Sequence, residues 1–329
     1  MLGACLQLIA CGAVAQTTRY VDPFIGTDNA RVPTVWGKEG GTYPGAVAPW
    51  GFMQLTPETR RGGGYFYSDT VVRYFSCTGH KSGYPSGSAG HVHIMPVTAP
   101  TDEARPFSHL SESARPGYYR VRFADDGTLV EATASQHVGA FRFTFRENTI
   151  PYIRIADCGV LEATDENTLT GSKHGVAMRF SQPFRLVDST SDGYHVEFVT
   201  ESGKPTVITL LVSASRVGNS SSLRNIHYAL TDSGKSVGQA FDRILSQTTT
   251  AWEDVLARFV VTDNDENRKR IFFTALYHSC LLPWVISDAE GNYRGRDGKV
   301  YRSETGEEYG GFSPWHTFRS LHPLLQLAY

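Results

Sequence analysis

Residues Tyr118–Phe123 read YYRVRF and residues 140–145 read AFRFTF, so apolar and polar side chains alternate in both stretches. An alternation of period two is typical of a strand with one buried face. The turn residues Asp125, Asp126 and Gly127 follow the first stretch and predict a β-hairpin. This part of the chain is therefore expected to form an antiparallel sheet.

Short apolar runs broken by Gly, Pro, Asp and Asn extend over most of the chain, for example at 152–155 (YIRI) and 207–212 (VITLLV). Many short strands separated by turns are typical of two packed antiparallel sheets. The 32 Gly, 16 Tyr and 18 Phe fit such a β-rich protein. We therefore predict a two-sheet β-sandwich over residues 16–222.

The pattern changes to helical spacing after residue 222. Apolar residues recur every three or four positions from 238 to 259, and again from 266 to 282 before Pro283. These stretches predict a helical linker at 223–262 and a further helical region at 263–329.

The last predicted helix has a start signal but no stop signal. Ser313 and Pro314 resemble a helix start, and Pro323 is expected to kink or break the run that reaches Tyr329. So few helices cannot bury their apolar faces alone. Either the chain is a fragment or these helices pack onto the sandwich. The fold class is thus mainly β with C-terminal helices.

Charge and the first residues bear on location and partners. The net charge of −2 gives no basic excess, which argues against a nucleic-acid partner.

Residues 1–15 (MLGACLQLIACGAVA) resemble a secretory signal that ends in an A-x-A site and is too short to span a bilayer. We expect an exported protein, periplasmic or at the outer surface of a bacterium, with no membrane span. Two alternatives are a lipid anchor at Cys11 and a plain apolar N-terminal strand.

Cysteine and histidine spacing gives only weak metal signals. Cys77, Cys158 and Cys280 cannot all pair and lack ligand spacing, so buried free thiols are expected. His91 and His93 would share one face of a strand and could both reach one ion. No third ligand follows at a suggestive spacing, and a structural strand pair is the preferred interpretation. The metal ligands of this chain are therefore unknown from sequence.

A series of short motifs extends over nearly the whole chain. They are residues 20–27 (YVDPFIGT), 41–51 (GTYPGAVAPWG), 54–59 (QLTPET), 64–69 (GYFYSD), 75–76 (FS), 116–119 (PGYY), 131–134 (EATA), 274–279 (TALYHS), 293–300 (YRGRDGKV) and 315–325 (WHTFRSLHPLL). In this order, the motifs resemble those of glycoside hydrolase family 92.

The resemblance implies an N-terminal β-sandwich, a helical linker and the first helices of an incomplete (α/α)6 barrel. It also implies a calcium-dependent, inverting exo-α-mannosidase that acts on mannose-containing glycans. The family's general acid is a Glu and its base an Asp. Both are expected beyond residue 329, as are most calcium ligands. We therefore expect no catalytic residue in this chain, and no hydrolysis by it alone.

The string Trp315-His316-Thr317-Phe318-Arg319 resembles the family's Trp-Asp-Thr-Phe-Arg, which contacts the mannose in the −1 subsite. An indole face stacks on sugar C–H groups and an Arg fork binds hydroxyls. His316 replaces the family's Asp, and a neutral imidazole offers one donor and one acceptor where a carboxylate offers only acceptors. We predict substrate contacts at Trp315, His316 and Arg319, with plain helix packing as the alternative.

The Gly- and Ser-rich loop 77–90 resembles a family loop that reaches the active site and shapes specificity. Tyr84 in this loop is the residue that we expect to stack on a sugar, and a mobile surface loop is the alternative.

Inverting hydrolysis needs two carboxyl groups about 6.5–9.5 Å apart. None of the acidic residues lies in a pattern that marks such a pair, and a turn or surface role is expected for Glu39, Glu58, Asp69, Asp157, Asp288 and Asp297.

Two other functions remain open at this point. A sandwich with surface aromatic residues can hold glycans without chemistry, so a non-catalytic carbohydrate-binding β-sandwich is the alternative. The other possible function is a scaffold domain that only supports a catalytic domain.

Overall fold

The structure is a computed structural model, and it describes residues 16–34, 37–39, 41–60, 62–80, 90–101, 103–190, 193–232, 234 and 236–329. Within these ranges, only the backbone is described for residues 29–34, 37–39, 188–190 and 316. The predicted signal-like segment 1–15, including Cys11, lies outside the described residues.

The described part of the chain is mostly β-strand up to residue 214 and mostly helical after it. The strands are β1 (Asn29–Thr34), β2 (Gly37–Glu39), β3 (Ala46–Val47), β4 (Met53–Glu58), β5 (Val71–Val72), β6 (Tyr74–Thr78), β7 (His91–Val97), β8 (Arg105–Arg115), β9 (Tyr118–Phe123), β10 (Leu129–Ala134), β11 (Gly139–Phe145), β12 (Tyr152–Ala156), β13 (Leu161–Asp165), β14 (Thr168–Gly171), β15 (Val176–Phe180), β16 (Phe184–Thr190), β17 (Gly193–Phe198), β18 (Thr206–Ala214), β19 (Trp284–Val285), β20 (Asn292–Arg294), β21 (Val300–Arg302) and β22 (Tyr309–Gly310). The helices are a 3₁₀ helix (Thr17–Tyr20), α1 (Asn219–Asp232), α2 (Val237–Leu256), α3 (Glu266–Ser279), α4 (Pro314–Thr317) and α5 (Leu321–Ala328).

Two antiparallel sheets form the β-sandwich. One sheet has the strand order β13-β14-β15-β18-β11-β10-β9-β8-β5, and the other has the order β16-β17-β12-β7-β6-β4-β3. One hydrophobic cluster contains buried side chains from both sheets. In β9, Tyr119, Val121 and Phe123 are buried whereas Arg120 and Arg122 are exposed, as the alternating pattern predicts. The predicted sandwich is confirmed.

The predicted hairpin joins β9 to β10. Val130 pairs with Val121 across the two strands, and Gly127 has a φ of 75°, a left-handed conformation that favours glycine. The Asp126 carboxylate accepts the Thr128 amide at 2.8 Å, which closes the turn. The hairpin therefore forms where its turn residues indicate.

Helices α1 and α2 pack on the outer face of the nine-stranded sheet. Phe241 and Ile244 of α2 lie in one buried cluster with Ala140 and Leu211 of the sheet. Farther along the same helix, Trp252 is buried in a second cluster that includes residues of α3. The first linker helices thus bury their apolar faces against the sandwich, which was one of the two alternatives. Helix α1 begins at Asn219, just before the change in pattern near residue 223.

The predicted C-terminal helix is divided in two. Helix α4 ends at Thr317 and α5 begins at Leu321, so Pro323 lies in the first turn of α5, where a missing N–H costs no helical hydrogen bond. Helix α5 has no buried residue, and Leu327 is 88% exposed. This end of the described chain therefore presents an apolar surface to solvent.

The three cysteines of the described chain are free and buried, as predicted: Cys77, Cys158 and Cys280. Across the described residues, none of the helices combines the length and apolar character needed to cross a bilayer.

Candidate functional site

Trp315 of helix α4 and Arg319, two residues after the helix, are both exposed. The indole of Trp315 is 84% exposed. The Arg319 guanidinium lies 5.1 Å from the ring centroid of the neighbouring Phe318. Both side chains are available to a ligand, and their predicted substrate contacts stay predictions. Tyr84 and the side chain of His316 lie outside the described residues.

The base of loop 77–90 is fixed by a fully buried carboxylate. Glu58, the last residue of β4, accepts hydrogen bonds from Ser76 Oγ at 2.6 Å, from the Gly90 amide at 3.3 Å and from the Gly64 amide. The imidazole Nδ1 of His80 lies 3.8 Å from the same carboxylate. Glu58 thus contacts residues at both ends of the loop.

Two of the acidic residues for which a turn or surface role was expected are instead buried. Glu58 is 0% exposed and Asp288 is 3% exposed. Asp288 accepts hydrogen bonds from Ser221 of α1 and from the backbone of Asn292, so it joins α1 to the segment after α3. Burial raises the pKa of Asp288, but these hydrogen bonds prevail and hold it below its ordinary value. Both carboxylates have structural partners.

Asp69 and Asp297 occupy the turn-like settings that the sequence predicts. Asp69 accepts the Thr59 hydroxyl at 2.8 Å and pairs with Arg60. Asp297 accepts the Tyr301 hydroxyl at 2.7 Å in an exposed turn. The sequence assigned no acid or base among these groups, and their contacts give no reason to assign one.

The two histidines of β7 do not share one site. His93 stacks on Tyr74 with ring centroids 3.8 Å apart, and its Nε2 lies 2.9 Å from the Gly90 carbonyl. His91 points to Asp157 instead, with 3.1 Å between Nδ1 and Oδ2. Val92 between them has a φ of 59°, which interrupts the regular strand geometry. The less favoured interpretation, one ion held by both rings, is therefore wrong, because the backbone at Val92 breaks the regular alternation that would place both rings on one face.

His91, Asp157 and His174 form a cluster, which we call the His–Asp–His cluster. One ligand atom from each residue lies within 4.8 Å of the other two. His91 begins β7 and Asp157 directly follows β12, and these are neighbouring strands of the seven-stranded sheet, whereas His174 lies between β14 and β15 of the other sheet. Their imidazole rings stack with centroids 4.3 Å apart. The cluster therefore joins the two sheets at one end of the sandwich.

The Asp157 carboxylate is kept ionised by the cluster. Partial burial alone would raise its pKa, but the contacts with His174 and His91 prevail and hold the pKa well below its ordinary value. Asp157 and His174 also have φ values of 50° and 59°, in the left-handed region. Such conformations cost about 1 kcal/mol or more each and persist only where the surroundings hold them.

We expect Asp157→Asn to make the stability of the chain less sensitive to acid. A depressed folded-state pKa stabilises the fold above the unfolded pKa of about 3.9, and this stabilisation is lost as the pH falls below it. Wild type should therefore exceed Asp157→Asn in stability near neutral pH, and the difference should shrink in acid. Urea unfolding at several pH values measures the difference in stability between the two proteins. A difference that does not change with pH would contradict the lowered pKa of Asp157.

Calcium does not fit this cluster. Ca²⁺ takes about 6–8 oxygen ligands, and two of the three groups here are imidazoles. Within the described ranges, this is also the sole group of three or more His, Cys, Asp or Glu residues placed to hold a metal ion. We therefore assign no calcium ligand to the described residues.

Sequence reasoning missed Asp157 and His174 as partners of His91. Asp157 is 66 positions away and was considered only as an acid or base. Ligand spacing in the sequence cannot relate residues that come from different sheets. The His-x-His pair at 91 and 93 was therefore the only metal-binding signal in the sequence.

Two family models match the chain along nearly its whole length. The glycosyl hydrolase family 92 N-terminal domain matches residues 20–238, and the glycosyl hydrolase family 92 catalytic domain matches residues 229–329. Among curated proteins, none matches the chain.

Several solved structures that resemble this chain are GH92 enzymes. The GH92 α-mannosidase BT3965 from Bacteroides thetaiotaomicron is 28% identical with a TM-score of 0.79, over 94% of this chain and 47% of that chain. Its complex with mannoimidazole is 27% identical with a TM-score of 0.79, over 94% and 46%. The inverting mannosidase BT2199 from Bacteroides thetaiotaomicron VPI-5482 has a TM-score of 0.78 over 94% and 46%, and at 22% identity it shows the fold alone.

The chain thus spans about half the length of these structures. Because the family models together cover residues 20–329, the chain belongs to glycosyl hydrolase family 92.

Proposed function

We propose that this chain is the N-terminal part of an exported, calcium-dependent, inverting exo-α-mannosidase that hydrolyses α-mannosidic bonds in glycans. The observation that carries the proposal is the 28% identity with an α-mannosidase over 94% of the chain. That relative has also been solved with mannoimidazole bound, so a mannose-type ligand is the first choice for this protein.

The described residues support a role in holding substrate and not in the bond-breaking step. Glu58 and Asp288 are buried among structural partners, and Asp69 and Asp297 close turns. By contrast, Trp315 offers an open indole face that suits stacking on sugar C–H groups. We therefore propose that the 329-residue chain alone does not hydrolyse mannosides, and that Trp315, His316, Arg319 and Tyr84 contribute substrate contacts.

The test of the reaction is mannose release by the full-length gene product that contains this chain. With an α-linked mannobiose, inversion makes β-mannose the first product, which proton NMR detects before the anomers equilibrate. A calcium chelator should abolish release, and added Ca²⁺ should restore it. Release of α-mannose first would exclude inversion, and failure on every α-mannoside would exclude the activity.

The same assay on the 329-residue chain separates catalysis from binding. We expect no release, and mannose liberated by this polypeptide would refute our assignment of structural roles to its carboxylates. Calorimetry with mannobiose provides the second measurement. Strong binding by the chain, combined with an inactive full-length product, would favour the carbohydrate-binding β-sandwich instead. Export is tested by the cellular fraction in which the tagged gene product is found.

We expect Trp315→Ala and Arg319→Ala, made in the full-length product, to lower kcat/KM about tenfold or more, equivalent to about 1.4 kcal/mol each. The physical reason is the loss of a stacking face and of a hydroxyl-binding fork. Phe312→Ala and Arg302→Ala are matched controls, because both side chains are exposed outside the predicted contact set. Equal effects in controls and variants would contradict the substrate role.

A further inference from the structure

The His–Asp–His cluster has the donor set of a transition-metal site. Its ligand atoms are the imidazole nitrogens of His91 and His174 and a carboxylate oxygen of Asp157. Two imidazoles and one carboxylate suit Zn²⁺ and related first-row ions, whereas Ca²⁺ and Mg²⁺ prefer oxygen ligands. A carboxylate and two neutral imidazoles carry one negative charge, which a divalent cation offsets.

The spacing of the donor atoms also fits a metal. Oδ2 of Asp157 lies 3.1 Å from His91 Nδ1 and 3.3 Å from His174 Nε2. Ligands about 2.1 Å from one ion lie about 3.0 Å apart at right angles and about 3.4 Å apart at tetrahedral angles. Both distances from Asp157 fall in that interval, and the two imidazole nitrogens lie within 4.8 Å of each other.

His174 Nε2 is a buried donor atom, and its polar contact is the ion pair with Asp157, 3.3 Å from Oδ2. Among the described residues this nitrogen has no well-oriented hydrogen bond, and a bound cation would give it a direct partner. Cys158, next to Asp157, is not part of the group of ligand atoms, and its Sγ contacts the Gly159 carbonyl at 3.7 Å.

An ion can reach the cluster from solvent. The side chains of His91, Asp157 and His174 are 50%, 29% and 26% exposed. Three protein ligands at such a partly open position leave room for water to complete the coordination. A further charged neighbour of Asp157 is His93, whose positive form lowers the pKa of Asp157.

We propose that His91, Asp157 and His174 bind a divalent first-row transition metal, for which Zn²⁺ is the probe, and that the ion ties the two sheets together. The site lies in the sandwich and uses none of the residues that we assign to substrate contacts. It therefore does not depend on the proposed mannosidase activity.

The experiment is a titration of the chelator-treated chain with Zn²⁺ by calorimetry at about pH 7.5, where imidazole ligands are mostly neutral. We expect one ion per chain with a dissociation constant on the order of 1 μM or tighter. His91→Gln and His174→Gln should each lower the affinity about tenfold or more. His227→Gln, an exposed histidine of α1, is the matched control and should bind as wild type.

Thermal unfolding gives a second readout that does not depend on activity. Zn²⁺ should raise the Tm of the wild type and of His227→Gln, but not of His174→Gln, because only the folded state with its complete ligand set gains binding energy. Circular dichroism establishes that each variant is folded before titration. Three results would overturn the proposal: no saturable binding, equal affinity in His174→Gln and His227→Gln, or displacement of Zn²⁺ by millimolar Ca²⁺.

Discussion

Trp252→Ala is expected to lower the free energy of unfolding by about 3–5 kcal/mol, because removal of a fully buried indole leaves a large cavity. Trp252 is 0% exposed and lies in the cluster between α2, α3 and the first residues of the sandwich. Its Nε1 donates to the Val47 carbonyl at 2.7 Å, and its ring lies 4.5 Å from that of Tyr277. One side chain therefore joins a helix to the sandwich and to the next helix.

Urea unfolding followed by circular dichroism measures the loss. Trp252→Phe keeps an aromatic ring but leaves the Val47 carbonyl without its donor, so an intermediate loss of about 1–3 kcal/mol is expected. Trp315→Ala removes the same side chain from an 84% exposed position and should change stability by less than about 0.5 kcal/mol. Equal losses at Trp252 and Trp315 would show that burial does not determine the effect.

The parts of the fold that were predicted from sequence are those that depend on local pattern. The alternation in β9 and the turn at Gly127 are contained within a few residues, and the hairpin forms there. Helix α2 follows from the spacing of Phe241, Ile244 and Trp252. Each signal reports which face of one element is buried, and neighbouring residues are sufficient to read it.

Which residues meet at the candidate sites depends on contacts between elements that are distant in sequence, and local patterns do not predict such contacts. Glu58 ends strand β4, and its neighbours in sequence resemble those of a turn, yet it is buried because donors from residues 64, 76 and 90 converge on it. His91 contacts Asp157, which follows another strand of the same sheet, and His174, in the connection between two strands of the opposite sheet. The positive φ of Val92 was also invisible, since a valine ordinarily avoids that conformation.

Glu58→Ala is expected to cost about 3 kcal/mol or more, since buried donors without an acceptor each cost about 1–3 kcal/mol. The groups left without their acceptor are Ser76 Oγ and the amides of Gly64 and Gly90. Water entering the space could satisfy only some of them. The loss should appear as a lower urea midpoint of the whole sandwich, because Glu58 joins the end of β4 to β6 through Ser76 and to the start of β7 through Gly90.

Glu58→Gln distinguishes a role for the carboxylate from simple filling of space. The amide has nearly the same shape, but its NH2 group would face donors in place of an acceptor, so we expect a loss of about 1–3 kcal/mol. Glu147→Gln, at an exposed position, is the control and should stay within about 0.5 kcal/mol of wild type. No loss of stability in Glu58→Gln would mean that the second acceptor oxygen and the negative charge are not needed to hold the two ends of loop 77–90.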